Sequence, residues 1–388
     1  MPSLKKQQPV LNAKPLWQTT LGEYVTAIAW TPNGKILAAA TAAGEIVLYD
    51  DVSKATDKLT RLQTETNSSV DCLSFSADGR WLVAAGQDGK ILLWDSTNAM
   101  KQVAIDRGDL GGKGNQWIEH LVWHPIRAEF AFTFGKYVQV WSADRQDIIT
   151  TVNFEQSSVL ALNWHPSGDW LTVGGYQGIK LWSAKDWYED PIDFELPTAT
   201  GLMTWHPSGR YLASNTLDNL VVLFEWLGGG THPEGNRFDD SPWRMQGFPG
   251  KVRAFAWTEF AETAKSSGKE KKVPNDSSLL VSSSGSEVVV WRRHPDPEIG
   301  WEGQILQGHV GNVGLVAFKP KSAVLTSAGE DGRVSLWQDA TNWIQALENS
   351  EAEITCLQWQ PQAHRLAAGN ADGELFVWTE STQAKGFR

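Results

Sequence analysis

The segment 328–337, AGEDGRVSLW, recurs along the chain, and no other feature restricts the fold as severely. One copy reads as strand, tight turn, strand. Val324-Leu325-Thr326-Ser327 is apolar and β-branched, Glu330-Asp331-Gly332 supplies turn chemistry, and Val334-Ser335-Leu336-Trp337 alternates. AGQDGKILLW ends at Trp94 and GNADGELFVW at Trp378, and looser copies end at Tyr49 and Phe224. Shortened copies ending at Trp141, Trp182 and Trp291 bring the total to eight. A chain built from copies of one hairpin is a repeat array, and its 388 residues are better read as one closed array than as two or three unrelated domains.

A further apolar strand, a, precedes every hairpin, which supplies strands b and c. Aligning strand a on its last aromatic gives Trp30, Phe75, Trp123, Trp164, Trp205, Trp257, Phe318 and Trp359. Five residues upstream stand Val25, Val70, Ile118, Val159, Thr200, Val252, Val313 and Ile354, all β-branched as a stiff buried strand prefers. Weaker candidates for an outer strand, d, lie at 16–19, 60–62, 102–104, 148–152, 192–194, 243–245, 303–306 and 343–345. The array starts on d and ends on c. Its first strand can therefore pair with the last sheet and close a ring without exposed edges.

These residues resemble the WD-repeat β-propellers, whose period of about 40–45 residues and four strands per blade match the spacing here. The expected fold is all-β: an eight-bladed β-propeller of four-stranded antiparallel blades, closed by an N-terminal outer strand pairing with the last blade. It would occupy residues 15–378 as a single propeller, with tails at 1–14 and 379–388. By the same resemblance His309, Ser327, Asp331 and Trp337 form the family's structural hydrogen-bond tetrad. Only repeat seven has Gly-His, and the turn aspartate survives as Asp88, Asp218, Asp331 and Asp372, so the full tetrad is expected in blade seven alone.

Composition narrows the function classes. A net charge of −11 offers no electrostatic footprint for a nucleic-acid backbone or an anionic membrane surface. No segment approaches the about 20 apolar residues of a membrane span, and residues 1–15 lack the apolar centre of a secretory signal, so the expected setting is cytoplasmic. Cys72 and Cys356 occupy one slot in repeats two and eight, which are not neighbours in a ring of eight; both read as small packing residues in a reducing compartment. Of 21 tryptophans, six end strand a and six end strand c. Trp117, Trp187, Trp226 and Trp243 fall in or beside connections, where an aromatic either packs under a loop or is presented to a partner.

Two insertions, 227–250 and 258–277, project from the face carrying the a-b and c-d connections, termed the bottom. The longest top-face loop is 106–117, DRGDLGGKGNQW. It has the glycine and lysine content of a phosphate-binding loop. Its first glycine is one residue too close, however, Gly114 replaces the required Ser or Thr, and no buried parallel strand leads into it. Trp-His-Pro occurs at His124, His165 and His206. Equivalent positions on neighbouring blades are too far apart to converge on one ion at about 2 Å, so these histidines are expected to cap a repeat-specific turn, and no metal or other cofactor is expected.

Function should lie where the copies disagree. One residue after the β-branched column stand Thr26, Asp71, Glu119, Leu160, Gly201, Arg253, Gly314 and Thr355, which ring the channel mouth on the top face. The leading expectation is a non-catalytic scaffold that binds a protein or peptide through Asp71, Trp117, Glu119, Arg253 and Glu330 on this rim. One alternative is a hydrolase or lyase using Asp71, Glu119 and His120 as acid-base groups. Another is a metal-handling accessory protein using the bottom-face histidines and the insertion around His232. The sequence leaves the oligomeric state open.

Overall fold

A computed structural model describes residues 13–50, 59–103, 105, 117–155, 157–176, 178–228, 238–239, 241–259, 278–296, 298–347 and 351–380. The tails 1–12 and 381–388, the top loop before Trp117, most of the two insertions and His232 lie outside these residues. The described residues form 32 strands in eight four-stranded antiparallel sheets. Seven sheets are consecutive a-b-c-d meanders. The eighth joins the first strand of the chain to the last three.

Strands b and c are covered on both sides by neighbouring blades. They therefore read as nearly unbroken apolar runs rather than as an alternation. Trp81–Gly86 is buried along its whole length, whereas the outer strand of the preceding blade, Leu59–Gln63, is half-buried or exposed throughout. The weak patterning of the outer strands thus follows from their solvation.

The innermost strands are Val25–Trp30, Val70–Phe75, Leu121–Trp123, Val159–Trp164, Met203–Trp205, Val252–Trp257, Val313–Phe318 and Ile354–Trp359. Each touches the innermost strand of the next blade, and the eighth touches the first. Ala13–Thr20 seals the ring by pairing antiparallel with Glu374–Glu380, from Ala13 opposite Glu380 to Thr20 opposite Glu374. The register slips between Pro15 and Trp17, where proline has no N–H to give the ladder. Gln345 of blade seven adds a clamp, accepting from Ala13 N at 3.3 Å and donating to Ala13 O at 3.1 Å. The closing strand thus begins two residues inside the stretch expected as a tail, and the last strand ends two residues beyond 378.

The repeated tryptophans do more than fill the space between sheets, because a buried indole N–H needs an acceptor. Five of the six strand-a indoles reach back to the preceding blade: Trp123 donates to Ser74 O, Trp164 to Val122 O, Trp205 to Thr172 Oγ1, Trp257 to Thr204 O and Trp359 to Thr326 Oγ1, at 2.9–3.3 Å, while the Trp30 indole N–H has no acceptor among the described residues. One residue further along, His124 and His165 reach forward. Backbone N–H groups of Ile126 and Arg127 donate to His124 Nδ1, and that of Ser167 donates to His165 Nδ1. The ring proton therefore sits on Nε2. From there His124 donates to Gly168 O at 2.9 Å and His165 to Gly209 O at 3.1 Å, each in the next blade. Gln360 makes the same forward bond to Gly34 O, at 2.5 Å, across the seam between blades eight and one. The accepting residues are turn glycines with φ of +77°, +76° and +67°. A Cβ on Gly168 would lie 2.3 Å from His124 Cε1.

Candidate functional site: the channel mouth

In six blades the first strand-a residue is followed by a register shift: Val25/Ala27, Val70/Cys72, Val159/Ala161, Val252/Ala254, Val313/Leu315 and Ile354/Cys356. The skipped residue is the variable one of the mouth column. A bulge re-aims the side chain it carries, and beside a β-branched residue that is buried in all six of these blades it frees one position per blade for a local task. In blades three and five the ladder starts later, at Leu121 and Met203. Glu119 and Gly201 occupy the same place just before it.

A second column, two residues upstream and just before the β-branched position, lies at the same end of strand a. It reads Tyr24, Ser69, Trp117, Ser158, Ala199, Lys251, Asn312 and Glu353 from blade one to blade eight. Two groupings follow. On blades two and three, Asp71 accepts a 2.8 Å bond from the Trp117 indole and another from Ser69 Oγ. Trp117 remains 48% exposed, and Glu119 beside it is exposed. Tyr24 is exposed on blade one, and its hydroxyl pKa is raised by partial burial and by the charges of Glu353 and Asp71. On blades six and seven, Glu330 accepts from Asn312 Nδ2 at 2.8 and 2.9 Å and from Asn312 N at 3.3 Å. These bonds and the nearby charge of Arg253 hold the Glu330 carboxyl below its ordinary range. The five rim residues expected from sequence therefore form two groups, Asp71-Trp117-Glu119 and Arg253-Glu330. Blades two and six are half a turn apart in the ring, so the groups face each other across the mouth.

Column comparison could have found Tyr24, Asn312 and Glu353, because each shares the slot of Trp117. Among the four tryptophans in or beside connections Trp117 is the exposed one; Trp343, on an outer strand, is exposed as well. Trp226 is buried among His165, Trp170, Trp205 and Phe238, Trp187 packs edge-on against Trp164, and Trp243 carries the Arg293 guanidinium 4.4 Å from its ring centroid. The thiols of Cys72 and Cys356 are free, and burial pushes both up to about 12, which leaves them inert as nucleophiles. His120 is half-buried, and burial lowers its pKa.

The tetrad lies behind this surface, within one blade. His309 Nδ1 meets the Asp331 carboxylate at 3.0 and 3.1 Å, His309 Nε2 lies 2.8 Å from Ser327 Oγ, and Trp337 Nε1 donates to the same hydroxyl at 2.9 Å. Burial would raise the Asp331 carboxyl, but bonds from His309 and from the Val310 and Arg333 N–H groups bring it below the ordinary value. Blade six keeps only the far end of this network, Trp291 to Ser282 at 2.9 Å. In blade five Asp218 accepts instead from Thr198 of the d-a loop, at 2.7 Å.

The family model for the WD domain, G-beta repeat, matches residues 57–95, 146–183, 300–338 and 342–379. Each match runs from one outer strand into the three inner strands of the next blade, the same stagger that closes the ring. The chain belongs to the WD-repeat β-propellers. A model of the anaphase-promoting complex subunit 4 WD40 domain also matches, at 10–64, over the closing strand and blade one. Among similar proteins, the protein transport protein sec13 of Emericella nidulans is 22% identical over 268 residues, covering 62% of this WD-repeat chain and 83% of its own. The WD repeat-containing protein 26 homolog of Arabidopsis thaliana is 22% identical over 283 residues, 63% of this chain and 46% of its own. The ribosome biogenesis protein ERB1 of Coprinopsis cinerea is 25% identical over 109 residues, 28% and 14% respectively. Two of these names speak of protein transport and of ribosome biogenesis.

Proposed function

We propose that this propeller is a non-catalytic interaction scaffold that binds a peptide or protein partner on its top rim. The observation that carries the reading is Trp117: a large aromatic outside the repeated core, 48% exposed, with its indole N–H held by Asp71. Aromatic anchors flanked by charged groups are the residues that dominate protein interfaces. The WD-repeat relatives with transport and biogenesis names favour the same role, and the net charge of −11 argues for a protein partner over nucleic acid or a membrane surface. Among the described residues no helix is long and apolar enough to cross a membrane. The cytoplasm is the compartment this reading assigns, where Cys72 and Cys356 stay reduced.

The catalytic alternative would use Asp71, Glu119 and His120 at the mouth, and it loses support because Asp71 is already held by the Trp117 indole and Ser69 Oγ. The metal-handling alternative would use the bottom-face histidines, yet both ring nitrogens of His124 and of His165 already hold hydrogen bonds. The test is affinity capture by the purified full chain from its native cell, followed by mass spectrometry. Partners retained by the wild type and lost by Trp117→Ala are expected; identical partner sets for both would remove the top rim as the site.

A further inference from the structure

Charge is not spread evenly around the mouth. Taking the two mouth columns together, blades eight, two and three contribute Glu353, Asp71 and Glu119, and blades one and three contribute the exposed aromatics Tyr24 and Trp117. Blades four and five contribute only Ser158, Leu160, Ala199 and Gly201. The basic groups in the two columns, Lys251 and Arg253, sit on blade six across the opening. A Cβ added at Gly201 or Gly314 would meet nothing within 4 Å, so both glycines border open space.

From this arrangement we infer that the sector formed by Tyr24, Trp117, Glu119 and Glu353 receives a cationic side chain, lysine or arginine, from the partner peptide. The inference rests on the scaffold reading and names the chemistry of its partner. An aromatic face and a carboxylate together suit a guanidinium or ammonium group, the ring by its quadrupole and the carboxylate by charge-assisted hydrogen bonds. The bond from the Trp117 indole to Asp71 fixes the ring before any ligand arrives, so little side-chain freedom is lost on binding. Partial burial is the first cause of the raised Tyr24 hydroxyl pKa, and the charges of Glu353 and Asp71, which lie near enough to the ring to add to it, place carboxylates on both sides of Tyr24. On the opposite half Lys251 and Arg253 accompany Glu330, so the two halves differ in charge and the site also selects the peptide's orientation.

The experiment uses the full chain and a randomised library of capped octapeptides, with the bound fraction sequenced by mass spectrometry. The wild type should enrich arginine or lysine at one position. Synthetic copies of an enriched peptide with citrulline or norleucine there should bind about tenfold more weakly, as expected for losing a charge-assisted hydrogen bond. The double variant Glu119→Gln/Glu353→Gln, confined to exposed residues, should lose the basic enrichment and keep the wild-type melting temperature, whereas Arg253→Glu should retain it. Enrichment of acidic or uncharged residues would overturn the inference, as would basic enrichment unchanged in the double variant. If the library shows no enrichment while cellular partners are still lost from Trp117→Ala, the cationic ligand is wrong and the rim still stands as the binding face. Identical cellular partners for wild type and Trp117→Ala would remove both.

Discussion

Blade seven and the pair formed by blades three and four hold stacked sheets in register by different means. In blade seven, His309, Ser327, Asp331 and Trp337 tie one sheet to its own d-a loop and turn. In blades three and four, His124 and His165 pass over their own sheets and bond a glycine carbonyl of the next. The first network closes within one repeat; the second exists only between repeats. Breaking the first should loosen one blade, and breaking the second should open a seam of the ring.

The largest effect should come from neither network but from the core both protect. Trp94→Ala empties a buried site on strand c and should cost about 3–5 kcal/mol in urea unfolding. A loss under about 1 kcal/mol would mean that the blade collapses around the hole. Gly168→Ala tests the seam directly: its added Cβ would meet the His124 ring at 2.3 Å and φ is +77°, so a loss of about 1–3 kcal/mol is expected. Gly314→Ala, at a glycine facing open space, should stay within about 0.5 kcal/mol. Equal effects would contradict the close packing assigned to the seam.

Asp331→Ala should cost about 1–3 kcal/mol, because it leaves His309 buried without its acceptor. Hydrogen exchange should then accelerate in blade seven before it does in blade four. A smaller difference concerns pH. Burial lowers the folded pKa of His120, His124 and His165, so below the ordinary value of 6.5 the unfolded chain binds more protons than the folded one. Their contribution is complete above pH 6.5 and is lost as pH falls from there through the lowered folded values. The melting temperature should decline between pH 7.5 and 5.5. Replacing His124 and His165 by glutamine, which makes the forward bond at Gln360 without titrating, should flatten that decline. An unchanged slope would show that these rings do not set it.

The same contrast explains what the sequence could reveal. Eight copies of strand a, the eight outer strands and the closing pairing were all legible, because each depends on a pattern inside one repeat. The forward bonds of His124 and His165 were not, because the acceptors are backbone carbonyls of the next repeat and leave no residue-type signature of their own. Three of the four tryptophans in or beside connections pack away. The partners of Trp226 are His165 and Trp170 of blade four, Trp205 of its own blade and Phe238 within the 227–250 insertion, so spacing alone could not separate it from Trp117. At the mouth, one column was read and its neighbour was passed over. Asp71, Glu119 and Arg253 were therefore named together, while Tyr24 and Glu353, which share the slot of Trp117, were missed.

The central claim is that stability resides in the repeated positions and recognition in the variable mouth. Melting temperature and partner capture, measured side by side on Trp117→Ala, Arg253→Glu and Trp94→Ala, test it most directly. The two rim variants should melt with the wild type and lose captured partners, while Trp94→Ala should melt well below it. Rim variants that capture the wild-type set of partners at unchanged melting temperature would contradict the account.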